Sequence, residues 1–188
     1  MLIAGVILGA GASTRLGQPK QLLPFRDTTL LGWAVRQAEA SSLDRVLVVV
    51  RSDEVAASLR PERAELVRFD DTDTTCSASL HAGLDALTED TDGLMLLLGD
   101  MPGLTAAVID TVLDQWRADP AWAAVTSYTD RPGHPFVFAA GAFQHLRTLH
   151  GDKAVWKLVD AGRARSIPVD APLPGDVDTW DDYRQIVT

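Results

Sequence analysis

An apolar run, Leu2–Leu8, passes without interruption into LGAGASTRLGQPKQLLP at residues 8–24. No other stretch restricts the fold as much. Its continuous apolar character predicts a buried strand. Gly9, Gly11 and Gly17 in the turn that follows leave no Cβ in the way of a close approach and permit positive φ. Successive backbone N–H groups in such a turn form an anion-binding nest. Arg15 and Lys20 then add charge, one as a planar fork and the other as a point. A strand, a glycine-rich turn and a basic pair in that order describe a backbone that approaches a polyphosphate. Two common phosphate loops are excluded. Gly11 and Gly17 are wrongly placed for G-x-x-x-x-G-K-[ST], with Pro19-Lys20 in place of Gly-Lys, and Thr14 fills the last glycine place of G-x-G-x-x-G.

Further apolar runs recur between helical patterns. Strands are predicted over Arg45–Val50, Ala64–Phe69, Gly93–Leu98, Ala121–Tyr128, Phe136–Ala139 and Ser166–Val169. Helices are predicted over Thr29–Ala40, Asp53–Leu59, Ser77–Leu87, Thr105–Ala118, Ala142–Leu149, Lys153–Ala161 and Trp180–Val187. Such alternation implies parallel pairing through right-handed crossovers. The expected fold is α/β: one doubly wound, mostly parallel sheet with helices on both faces. No linker divides the 188 residues, so a single domain over residues 1–188 is expected. Ligands of such sheets bind at the carboxyl ends of the strands. The glycine-rich loop and the turn Gly99–Pro102 both fall there.

The net charge of −9 argues against general nucleic-acid or anionic-membrane binding and requires positive charge to be concentrated locally. A lone cysteine, Cys76, excludes an internal disulfide and a cysteine-rich zinc site and suits a reducing cytoplasm. Met1 leads straight into the first strand, with no basic segment of a signal peptide, and no apolar run is long enough to span a bilayer.

Four further segments carry chemistry. In LLLGDMP, residues 96–102, Asp100 leaves an apolar strand at a turn fixed by Pro102. A carboxylate there either caps the turn or holds a hard cation, and magnesium suits one or two carboxylates plus phosphate oxygens. In PGDVDTWDDY, residues 174–183, Asp176 and Asp178 precede a helix, while Asp181 and Asp182 fall in its first turn, where the helix dipole favours a capping role. Ser77 and Ser79 sit near a helix start whose N–H groups favour an anion or a base edge, followed by His81. In RPGHPFVF, residues 131–138, a constrained turn is expected to present His134 for positioning and not as a base.

The first segment resembles the signature of the MobA-like nucleotidyltransferases, L-x-[AG]-G-x-[SA]-x-R-[ML]-G-x-x-K-x-L-L-P. It is filled at Leu8, Gly11, Ser13, Arg15, Leu16, Gly17, Lys20, Leu22, Leu23 and Pro24. The similarity continues in order to Tyr183. It implies a Rossmann-like nucleotidyltransferase fold and a reaction in which an NTP and a phosphorylated acceptor yield a nucleotidylated product and pyrophosphate. It implies Arg15, Lys20 and Asp100 as catalytic residues, with Mg2+ held by Asp100 and, aligning on Thr179, by Asp178; Asp176 is the other candidate. Nucleotide contacts are implied for Leu8, Gly9, Ala10, Gly11, Ala12 and Ser13, for Arg15 and Lys20, and for Ser77 and Ser79. The acceptor side is implied for Pro102, His134 and Asp152.

Ala10-Gly11-Ala12-Ser13 with Leu22-Leu23-Pro24 looks like the molybdenum cofactor cytidylyltransferase branch, with CTP as donor, molybdopterin as acceptor and a recipient molybdoenzyme as partner. Three positions depart from the family, and the first of them bears on the acceptor. Trp156 stands where relatives carry Arg, His81 where they carry Arg or Lys, and Trp180 where they carry Pro. Other readings remain open: a transferase using GTP or acting on a sugar or polyol phosphate, or a carrier that binds nucleotide or cofactor for a partner enzyme without turnover.

Overall fold

The computed structural model describes residues 1–11, 13–69, 75–151, 154–159, 162 and 164–187. Among these, seven strands form one sheet: β1 (Ile3–Leu8), β4 (Arg45–Val50), β5 (Glu65–Arg68), β6 (Gly93–Leu98), β7 (Ala123–Ser127), β8 (Pro132–Ala139) and β9 (Ala164–Pro168). Their order is β5-β4-β1-β6-β8-β7-β9. Two short strands, β2 (Pro24–Phe25) and β3 (Thr28–Thr29), make a separate hairpin. Helices α1 (Leu30–Glu39), α2 (Asp53–Ser58), α3 (Cys76–Asp85), α4 (Ala106–Ala118), α5 (Phe143–Arg147), α6 (Ala154–Leu158) and α7 (Trp180–Val187) lie between and after the strands.

The continuous apolar runs are explained by burial on both sides. Along β4, Val46, Val48 and Val50 face one core cluster, with Val35 of α1 and Ile109 and Leu113 of α4. Leu47 and Val49 face the other, with Leu80 and Leu84 of α3. Strand β6 divides likewise, Met95 and Leu97 against Leu94 and Leu96. Each fully buried side chain of this kind contributes about 1.5–3 kcal/mol. The mostly parallel α/β sheet expected from the sequence is therefore present.

The exception to parallel pairing is β8, which runs antiparallel to both neighbours, β6 and β7. It begins at Pro132, not at Phe136 as its apolar residues alone suggest. The turn expected to present His134 is part of this strand. A register shift between Val125 and Thr126 accommodates the segment rich in glycine and proline. Thr126 Oγ1 and Tyr128 Oη donate to the carbonyls of Pro135 and His134, each at 2.7 Å. Because β8 is reversed, its first residues lie at the same edge as the carboxyl ends of β1 and β6. His134 thus joins the edge that carries the glycine-rich loop and Asp100.

Helix starts follow their caps. Thr29, Thr75 and Thr105 accept backbone N–H bonds at the starts of α1, α3 and α4. At α7, Asp182 Oδ2 accepts from Thr179 N at 2.7 Å and Asp182 N donates to Thr179 Oγ1 at 3.2 Å, a reciprocal cap. Asp182 is therefore a capping residue, as its place in the first turn predicts.

Candidate functional site

The glycine-rich loop leaves β1 where the backbone is crowded. A Cβ on Gly9 would lie 2.8 Å from Leu31 Cδ2 and 3.1 Å from the Val49 carbonyl oxygen. Positive φ, expected at the loop glycines, occurs at Gly17 (70°) and at Ser13 (51°). Gly9 answers a close approach instead, and among the described residues a Cβ on Gly11 would meet only Gln21 Nε2, at 4.0 Å. The loop ends in a short 3-10 turn, Lys20–Leu22.

That turn brings Lys20 back over the sheet edge. Lys20 Nζ lies 2.5 Å from Asp100 Oδ2 and 2.8 Å from Asp178 Oδ1. The exposed Arg15 side chain reaches Asp178 Oδ2 at 3.1 Å. Asp178, not Asp176, shares Lys20 with Asp100. The chain before α7 is pinned there by Val177, which is fully buried and donates its N–H to the Asp100 carbonyl at 3.0 Å. On the other side, Trp33 Nε1 donates to the Pro102 carbonyl at 3.0 Å, tying the Gly99–Pro102 turn to α1.

Burial raises the Asp100 pKa above the usual carboxylate range; Lys20 pulls it back, and the Asp176 and Asp178 charges push it up again. For Lys20, burial works against the charged form, but attraction to Asp100 and Asp178 outweighs it, and its pKa is raised. Asp100 Oδ1 is buried with no hydrogen-bond partner among the described residues. Two carboxylates converging on one cationic centre, one with a spare buried oxygen, fit a magnesium-like ion that completes its shell with phosphate and water. No group of three His, Cys, Asp or Glu able to hold a metal occurs among the described residues.

Beside the loop lies a pocket of about 390 Å³, lined by Gly9, Ala10, Gly11, Ser13, Arg51 and Ser52, among others. Ser77 and Ser79 are buried and do not line it. The helix start they were expected to form lies one residue earlier, with Thr75 as cap. Ser77 Oγ accepts from Gly151 N at 2.9 Å, which ties α3 to the segment after α5. His81 Nε2 is 3.1 Å from the Leu146 carbonyl oxygen, so its ring is engaged on α5. The His134 ring lies 4.2 Å from Phe136, tilted by 48°, and Trp156 stands edge-to-face with both, 5.0 Å from Phe136 and 6.2 Å from His134. Burial pushes the His134 pKa down to about 3, so the ring is neutral at ordinary pH. Ala12 and Asp152 lie outside the described residues.

Two residues that the motif reading passes over belong to the site. Gln21 is 5% exposed, and its Nε2 donates to the Gly11 carbonyl at 2.9 Å. Val177 sets the depth of Asp178. The signal for Gln21 was present: a polar residue next to Leu22-Leu23, in a run otherwise destined for burial.

A seven-stranded sheet with one reversed strand, a glycine-rich loop after β1 and a carboxylate after β6 together define a Rossmann-like nucleotide-handling class. The model of the MobA-like NTP transferase domain matches residues 5–167, and the chain belongs to that family. A solved homologue of Mycobacterium tuberculosis Rv0371c, from Mycobacterium sp. strain JC1, is 42% identical, with a TM-score of 0.90 over 98% of this chain and 94% of that one. Rv0371c of M. tuberculosis H37Rv, solved in complex with manganese, is 39% identical, with a TM-score of 0.87 over 99% of this chain and 98% of that one. Nicotine blue oxidoreductase of Paenarthrobacter nicotinovorans is 33% identical over 149 residues, covering 74% of this chain and 72% of its own length. Among the described residues no helix is long and apolar enough to cross a membrane.

Proposed function

We propose that residues 1–188 are a single-domain, cytoplasmic molybdenum cofactor cytidylyltransferase. It would move CMP from CTP to the terminal phosphate of molybdopterin, release pyrophosphate, and pass the product to a recipient molybdoenzyme. The observation that carries this reading is the meeting of Asp100 and Asp178 on one cationic centre beside the glycine-rich loop. The manganese complex of the 39% identical mycobacterial protein supports a divalent ion in this family.

An acceptor phosphate oxygen attacks the α-phosphorus of CTP, and the bond from that phosphorus to the bridging oxygen breaks. The attacking oxygen is already anionic, so no strong base is needed, in keeping with a neutral His134. Catalysis then rests on in-line positioning and charge stabilisation. Backbone N–H groups of the glycine-rich loop hold the β- and γ-phosphates. Arg15 and Lys20 turn from Asp178 to the charge that develops on pyrophosphate. Mg2+ held by Asp100 and Asp178 would supply Lewis-acid polarisation of the α-phosphate. Pro102, His134 and Asp152 are assigned to the acceptor side, and Trp156 gives it an aromatic wall in place of a guanidinium.

The test is pyrophosphate release with Mg2+ and each of CTP, GTP, ATP and UTP, with and without molybdopterin. Release that requires both CTP and molybdopterin is expected. Release with GTP, or with a sugar or polyol phosphate as acceptor, would keep the reaction class and replace the substrates. Nucleotide binding without release from any acceptor would favour the carrier reading.

A further inference from the structure

Gln21 connects the two parts of the site that the proposed reaction needs to hold together. Its carboxamide is buried, at 5% exposure, yet lines the pocket beside the loop. Nε2 donates to the Gly11 carbonyl oxygen at 2.9 Å. Oε1 lies 3.4 Å from the Ser13 hydroxyl. That hydroxyl accepts from the Lys20 backbone N–H at 3.0 Å. One side chain therefore occupies a loop carbonyl and, through Ser13, braces the start of the turn that carries the Lys20 ammonium. Ser13 is the residue in the loop with φ of 51°, a conformation that a non-glycine residue holds only when its surroundings fix it.

The electrostatic logic is direct. An anion nest works only if its N–H groups face the anion and its carbonyl oxygens do not. A carbonyl already engaged by a buried amide donor is kept from presenting its negative end to a phosphate. Without that donor, the Gly11 carbonyl keeps only the longer approach of the Ser13 hydroxyl, 3.4 Å, and loses the bond that holds it away from the pocket.

We infer that Gln21 is a positioning residue for the triphosphate: its carboxamide fixes the Gly11 carbonyl and, through Ser13, the Lys20 backbone, so that loop and lysine present themselves as one preformed anion site. This rests on the nucleotidyl-transfer reading. Among the described residues its side-chain hydrogen bonds go to Gly11 and Ser13 and not to Asp100 or Asp178.

The experiment compares wild type with Gln21→Met, which keeps volume without polarity, and Gln21→Glu, which keeps the acceptor oxygen but loses the donor and adds negative charge. Inorganic tripolyphosphate with Mg2+ is titrated by calorimetry, Mn2+ alone by electron paramagnetic resonance, and Tm is followed in parallel. The Gln21→Met protein should bind tripolyphosphate about 10-fold more weakly, and the Gln21→Glu protein more weakly still. Both should bind Mn2+ as wild type does. In turnover, KM for CTP should rise by a similar factor while kcat changes much less. Unchanged tripolyphosphate affinity in Gln21→Met overturns the inference. So does an equal loss of Mn2+ and tripolyphosphate binding, which would make Gln21 a general structural support. If wild type itself takes up no tripolyphosphate, the nucleotidyl-transfer reading fails first, and the two failures are told apart.

Discussion

Lys20 Nζ and Asp100 Oδ2 stand 2.5 Å apart across the carboxyl edge of the sheet, and the same ammonium is 2.8 Å from Asp178. The lysine and a divalent ion would share the same two carboxylates. Lys20→Met removes the competing charge and is expected to bind Mn2+, without nucleotide, at least as tightly as wild type. Pyrophosphate release should fall by roughly 100-fold or more, because charge on the leaving group loses its partner. A Lys20→Met protein that binds Mn2+ much more weakly would show that the lysine organises the carboxylates and does not compete for them.

Asp100→Asn is close to isosteric and removes one charge at a buried position. Mn2+ binding should be lost and turnover should drop by about 100- to 1,000-fold, while the far-ultraviolet circular dichroism spectrum stays that of wild type. The same change at the exposed Asp176 should cost far less, since Asp176 does not share Lys20.

His134 carries a pH signature. Its folded pKa is about 3, against about 6.5 for a free imidazole. The fold favours the neutral ring, so its contribution to stability is complete above pH ~6.5 and shrinks as pH falls from there toward 3. Nuclear magnetic resonance titration should find the His134 ring uncharged from pH 8 down to pH ~4. The pH–rate profile should have no limb from this residue between pH 5 and 8, and His134→Gln should change the KM of the acceptor more than the shape of that profile.

Gly99→Ala tests how tightly the Asp100 turn is seated. The new Cβ would lie 2.5 Å from Leu31 Cδ1 and 3.1 Å from the Leu8 carbonyl oxygen. Overpacking of this kind costs about 1–3 kcal/mol, read as a lower midpoint in urea unfolding. Activity should fall further than stability alone explains, because the displaced residue adjoins Asp100.

Much of this was legible in the chain. Runs such as RVLVVV and GLMLLL can be satisfied only by strands buried on both faces, and both strands form over the residues expected, Arg45–Val50 and Gly93–Leu98. The loop, its basic pair and the two aspartates were legible as residues, and the resemblance implied that Asp100 and Asp178 share an ion, but the place of Lys20 between them was not legible. Lys20 and Asp178 are 158 positions apart and meet only because Val177 is buried in a small cluster with Leu16, Leu23, Phe25 and Leu30. The start of β8 was hidden because Pro132, Gly133 and Pro135 have turn chemistry, and pairing with both neighbours overrides it. Ser77 was legible as a hydroxyl near a helix start, but its tertiary partner, the Gly151 N–H 74 positions on, was not.

The reversed strand has a consequence for how such a protein can diversify. β8 is a seam between a block of four parallel strands that carries the loop, Lys20 and Asp100, and a flank of two strands, β7 and β9, joined through it. Its own side chains His134 and Phe136 meet the Trp156 ring of α6. Sequence drift along β8 and α6 can therefore recast the aromatic wall without shifting the β1–β6 register that holds the glycine-rich loop. Under the proposed reaction, a lineage that changed this wall would change what it modifies and inherit the donor side unaltered.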